Sequence, residues 1–182
     1  ARQARTVAAV YHGKLDLKAL TLYAILLAAG FVLNMTVSKF FSGLTGGFLS
    51  PEFIIAAFCL EILIIKPNIG QAAVIGLLAG VVIQITASVK GPDLIAEPVA
   101  AVVMVLLVSA LSNSKAKGLL PLVGTFVVTF ISGIIYAVIF SFLIMKNPAF
   151  MGVMAPVVAA TGVANAIIVA ALHLPIKKAL KL

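Results

Sequence analysis

The sequence predicts an all-α integral membrane protein, a bundle of six transmembrane helices with both termini in the cytoplasm. Three observations carry that prediction. First, 63% of the 182 residues are hydrophobic and only 10% are charged, with a mean hydropathy of +1.26, whereas soluble domains are about 45 to 50% apolar. Second, the apolar residues form continuous runs rather than alternating ones. Backbone in hydrocarbon must satisfy its own hydrogen bonds, and continuous runs select helices over barrel strands. Third, lysine and arginine crowd into alternate flanks of these runs.

The runs fall at residues 17–37, 51–65, 70–89, 93–111, 119–144 and 153–174, where one crossing needs about 20 residues. The second is short. It stops at Lys66-Pro67-Asn68, a tight turn whose proline lacks an amide to continue a helix, so spans two and three are expected to form a close hairpin. Lys90-Gly91-Pro92 makes the equally tight connection between spans three and four. The fifth run is long enough to tilt. No internal repeat or linker divides the chain, so residues 1–182 form one membrane domain: a cytoplasmic segment 1–16, the bundle 17–174 and a basic cytoplasmic tail 175–182. The opening ARQARTVAAVYHGKLDLK has no apolar stretch ending in small residues and does not read as a cleaved signal peptide.

Arg2, Arg5, Lys14 and Lys18 precede span one, Lys66 follows span two, Lys115 and Lys117 follow span four, and Lys177, Lys178 and Lys181 follow span six. The intervening flanks hold Lys39, Lys90 and Lys146, a split of ten against three. Short loops rich in lysine and arginine stay inside, which places both termini in the cytoplasm. The net charge of +8 therefore meets anionic lipid headgroups and gives no support to a nucleic-acid partner.

The longest outer connection, residues 38–50, combines Gly43, Gly46 and Gly47 with Phe40, Phe41 and Phe48. It reads either as a lid of mobile backbone carrying apolar anchors or as an interfacial loop whose rings rest among headgroups.

Polar residues within the spans mark the candidate site. Glu61 must face the bundle or be protonated, because an ionised carboxylate at a helix centre costs about 2.5 to 3.5 kcal/mol. It reads as a proton or cation site, or as a buried acid bonded to a neighbouring helix or reaching Lys66. Lys66 follows it by only five positions, which favours the structural reading. Gln84, Thr86 and Ser88 close span three, and Asp93 and Glu97 open span four on one helix face. Asp93 suits simple helix capping, while Glu97, deeper and next to Pro98, suits ligand binding. Asn34, Asn147, Thr161 and Asn165 add neutral partners, with Asn165 also suited to joining helices. Lys39, Lys90 and Lys146 are the outer cations available to an anionic solute. The candidate substrate site is thus Asn34, Lys39, Phe48, Gln84, Lys90, Glu97, Asn147 and Thr161.

Two small-xxx-small pairs, Ala24 with Ala28 and Gly76 with Gly80, allow close helix approach and are the candidate partner interface. Cys59, the single cysteine, reads as a small core hydrophobe. No phosphate-binding loop, metal motif or serine–histidine pair appears; His12 and His173 sit at the edges of the spans. The chain is therefore not expected to be an enzyme, nor to hold a metal or cofactor.

Six spans, cytoplasmic ends, a glycine-rich first outer loop and Ala24-Ile-Leu-Leu-Ala28 in span one together resemble the substrate-binding S components of energy-coupling factor transporters, the bacterial vitamin importers. The layout of SPEFIIAAFCLEILIIKPNIGQAAVIGLLAGVVIQITASVKGPDLIAEP is also similar to that of a tryptophan-specific member. The resemblance implies a place in the bacterial plasma membrane and a solute pocket formed by the outer loops and the outer ends of spans four to six. It implies release of the solute by toppling of the whole subunit. It further implies partners: a membrane T component docking on Ala24 and Ala28, and two cytoplasmic ATPases that use the ATP. Pantothenate, through an outer lysine, or a pyrimidine or pyridoxine-like precursor, through Gln84 and Glu97, is the favoured solute. The rival reading is a structural or assembly subunit that binds no solute.

Overall fold

A computed structural model describes residues 15–180; Arg2, Arg5, His12, Lys14 and Lys181 lie outside the described residues. Helix α1, Leu17–Leu44, opens where the Asp16 carboxylate accepts from the Ala19 amide at 2.9 Å, satisfying one of the donors that a helix start leaves free. It then passes without a break through a π turn, Asn34–Ser38. The five that follow are α2 (Phe53–Ile65), α3 (Ile69–Thr86), α4 (Asp93–Leu111), α5 (Lys115–Ile144) and α6 (Ala149–Ala179). The turn after α2 is as tight as its proline implies. Lys66 closes α2 in a left-handed conformation, and Asn68 and Gln71 cap α3 reciprocally at 2.9 and 3.1 Å.

Five of these helices are long and apolar enough to cross a membrane, the arrangement of a multi-pass membrane protein. The sixth, α2, is short, as the sequence implies. Its 13 residues reach only about 20 Å at the usual rise, short of the roughly 30 Å hydrocarbon core. Residues 54–65 of α2 are all buried, because α1, α3, α4 and α6 surround it. Its partners also differ from the expected hairpin, since α2 packs more extensively on α1 and α6 than on α3. Large apolar side chains such as Leu17, Ile25, Ile85, Leu143 and Val153 cover the outside. Cys59 lies in the core as a free thiol.

Helices α3 and α4 pack closely, and glycine permits it. A Cβ on Gly80 would stand 2.7 Å from the Asp93 carbonyl oxygen, and one on Gly76 would press on the backbone of Glu97 and Pro98. Gly76 and Gly80 are therefore buried in this internal seam and offer no partner interface, contrary to expectation. Small residues permit close approach, but the pattern does not name the approaching helix. Ala24 and Ala28, by contrast, lie exposed together on the outside of α1.

The tail and the first outer connection also differ from expectation. Helix α6 runs on to Ala179, carrying Lys177 and Lys178 in its last turn, where cations meet the negative end of the helix dipole. Residues 39–44 are helical, leaving a short connection in which Gly46 and Gly47 take φ of 62° and 89°. Phe40, Phe41 and Phe48 are exposed, as interfacial anchors would be.

Glu61 is fully buried, and neither carboxylate oxygen has a hydrogen-bond partner among the described residues; neither a neighbouring helix nor Lys66 engages it. Leaving such a group unsatisfied costs about 1 to 3 kcal/mol. Glu61→Met keeps the length of the side chain and removes both orphaned atoms. It is expected to raise the thermal unfolding midpoint of the detergent-solubilised protein by several degrees, and an unchanged or lowered midpoint would show that Glu61 has a stabilising partner.

Candidate functional site

A cavity of about 410 Å³ opens at the end of the bundle where α1, α3 and α5 finish and α2, α4 and α6 begin, within the usual size range for small-molecule pockets of about 300 to 1,000 Å³. Its apolar wall includes Met35, Ile55, Ile83, Tyr136, Met154 and Val157, and exposed Lys39 and Ser88 edge its mouth. Three carboxyl groups face into it, those of Glu52, Asp93 and Glu97.

Glu97 is the deepest. It is 1% exposed, its Oε1 accepts from the Ser132 hydroxyl at 2.8 Å, and its Oε2 has no partner. A buried acceptor without a donor is costly, and Oε2 is closed off by the packing around it, with no partner among the described residues. Ser132 and Thr129 stand beside it on α5.

The start of α2 is tied down from two sides. Asn34, in the π turn of α1, donates through Nδ2 to Glu52 Oε1 and accepts from the Phe53 amide at 2.6 Å. From α6, Asn165 accepts from the Glu52 amide at 2.9 Å and donates to the Thr129 hydroxyl at 3.3 Å. Two amides that a helix start leaves free are thereby satisfied by side chains, and Asn165 joins α2, α5 and α6. The Thr161 hydroxyl donates to the Ser50 carbonyl at 3.2 Å, and Ser50 pairs with Ser38 at 3.1 Å. The π turn matters because it brings Asn34, Met35 and Ser38 to the cavity from one short segment, a placement for which such turns are often used.

Asp93 lines the cavity as the first residue of α4 and is mostly buried, so its expected role in capping alone is corrected. Gln84 positions it: Nε2 donates to Asp93 Oδ2 at 3.4 Å, while Oε1 accepts from the Gly91 amide at 2.8 Å. Lys90 donates to the Gln84 carbonyl.

Of the expected site residues, Asn34, Lys39, Glu97 and Thr161 line the cavity together with Thr86 and Ser88. Gln84 and Lys90 support it from behind. Phe48 is exposed and outside the lining, and Asn147 instead accepts from the Ala149 amide at 3.0 Å, closing the turn into α6; both are corrected. Lys146 likewise lies outside the lining. Sequence reasoning missed Glu52, Thr129, Ser132 and Tyr136. Only Glu52 carried a signal, an acid at the very start of an apolar run.

No group of three or more histidine, cysteine, aspartate or glutamate side chains suited to a metal ion occurs among the described residues. No protein-family model, curated protein or solved structure matches the chain.

Proposed function

We propose that the protein is the solute-binding S component of an energy-coupling factor importer in a bacterial plasma membrane, with both termini cytoplasmic and the cavity open to the outside. In this reading α2 completes the sixth segment as a short buried helix, and a T component with two ATPases supplies the power. The observation that carries it is the cavity itself, walled by apolar side chains and lined by the three acids Glu52, Asp93 and Glu97. A subunit serving only to hold an assembly together has no use for a solute-sized cavity lined by carboxyl groups.

Charge narrows the solute. Glu52, Asp93 and Glu97 line the cavity against one cation, Lys39 at its mouth, so a solute presenting N–H groups or a protonated amine fits better than the anion pantothenate. An aminated pyrimidine or pyridoxine-like ring meets that requirement. Tryptophan meets it too, with its ammonium toward the carboxyl groups and its carboxylate toward Lys39.

Mass spectrometry of small molecules released from the purified protein tests this reading. The expected result is one nitrogen-bearing compound of vitamin or amino-acid size that also raises the unfolding temperature when added back. Finding no retained compound, and no thermal protection by amines, vitamins or amino acids, would favour the assembly subunit.

A further inference from the structure

The end of the bundle opposite the solute cavity holds a second, smaller cavity of about 60 Å³, walled by Leu63, Val108, Leu120 and Pro121. Its polar lining is Lys66 from the turn after α2, Ser112 after α4, Lys117 at the start of α5, and His173 and Lys177 one turn apart on α6; the Ser112 hydroxyl donates to the Ser109 carbonyl at 3.0 Å. All five acidic residues of the chain fall within the described region, and none of them lines this cavity. Three exposed lysines contributed to one cavity by three elements make its surroundings strongly positive and attract an anion. Lys66 moreover holds φ of 53°, a left-handed conformation that glycine adopts freely and lysine does not.

We propose that Lys66, Ser112, Lys117, His173 and Lys177 form a binding site for a phosphate group, supplied by the headgroup of an anionic phospholipid. The void is roughly four times the smallest that holds a water, room for a tetrahedral oxyanion. Its neighbours Leu119, Leu172 and Leu174 are exposed, a surface on which acyl chains rest. Basic pockets between transmembrane helices recognise headgroups by this combination of charge and apolar rim. The site is independent of the solute reading, since it shares no lining residue with the larger cavity.

The test titrates the purified protein with phosphatidylglycerol, with phosphatidylcholine and with inorganic phosphate, following the unfolding midpoint and the lipid adducts seen by native mass spectrometry. Phosphatidylglycerol is expected to protect and to remain bound where phosphatidylcholine does not. Its apparent affinity should fall about fivefold for each lysine removed in Lys66→Gln, Lys117→Gln and Lys177→Gln. The double variant Lys115→Gln/Lys178→Gln, which makes the same kind of charge change outside the cavity, should leave it unaltered. If the triple variant does not fold, Lys117→Gln/Lys177→Gln gives the same reading with the turn at Lys66 intact. Protection by inorganic phosphate equal to that by lipid would keep the phosphate site and assign it a free phosphate. Equal responses to both lipids with no effect of phosphate, or equal losses in cavity and control variants, would overturn the proposal.

Discussion

Glu97→Gln is expected to weaken solute binding about tenfold while leaving the bundle folded, the loss of one hydrogen bond at a carboxyl group lining the cavity. Glutamine occupies nearly the same volume and retains an oxygen for the Ser132 hydroxyl, which now donates to Glu97 Oε1 at 2.8 Å. The other oxygen, which has no partner among the described residues, becomes an amide nitrogen, which offers hydrogens where the carboxyl group offered an acceptor. Calorimetry or a thermal-shift titration with the solute that copurifies with the protein reads the loss directly. Undiminished affinity with an unchanged midpoint would remove Glu97 from the binding site.

Ala24→Leu or Ala28→Leu is expected to abolish ATP-driven uptake in cells containing the T component and ATPases, with solute binding to the purified subunit unaltered. Both alanines are exposed on one side of α1, and neither lines the solute cavity. Added bulk there holds a docking helix away without reaching the pocket. Transport assays paired with binding assays separate the two effects. Normal uptake by both variants would move the docking surface elsewhere.

The helices were legible because lipid imposes one rule along the whole chain: apolar runs bond within themselves and polar turns divide them. Lys66-Pro67-Asn68 and Lys90-Gly91-Pro92 fixed two boundaries to within a few residues of those observed. Hydropathy could not distinguish a crossing helix from the short α2 at the centre, since lipid and protein core accept the same side chains. The glycines of α3 announced a close approach without naming α4 as the approaching helix.

The site was legible where a residue was costly in its place. Glu97 and Asn34 stood out against apolar surroundings, and both reach the cavity. Ser132, Thr129 and Tyr136 lie in a long apolar run in which a hydroxyl is cheap, and only the packing of α5 on α4 and α6 turns them inward. The π turn at Asn34–Ser38 left no trace in the periodicity. Phe48, Lys90 and Asn147 belong to loops near the cavity, and nearness in sequence did not place their side chains inside it.

Cysteine accessibility at the two ends of the bundle most directly tests the claim that the carboxyl-lined cavity faces the outside and captures solute there. Cys59 is fully buried, so the background is low, and Ser88 at the cavity mouth and Lys178 on the last turn of α6 lie at opposite ends. Ser88→Cys should react with a membrane-impermeant maleimide on intact cells and be shielded by solute, while Lys178→Cys should react only after permeabilisation. Labelling of Lys178→Cys in intact cells, with Ser88→Cys silent until the membrane is opened, would contradict the account.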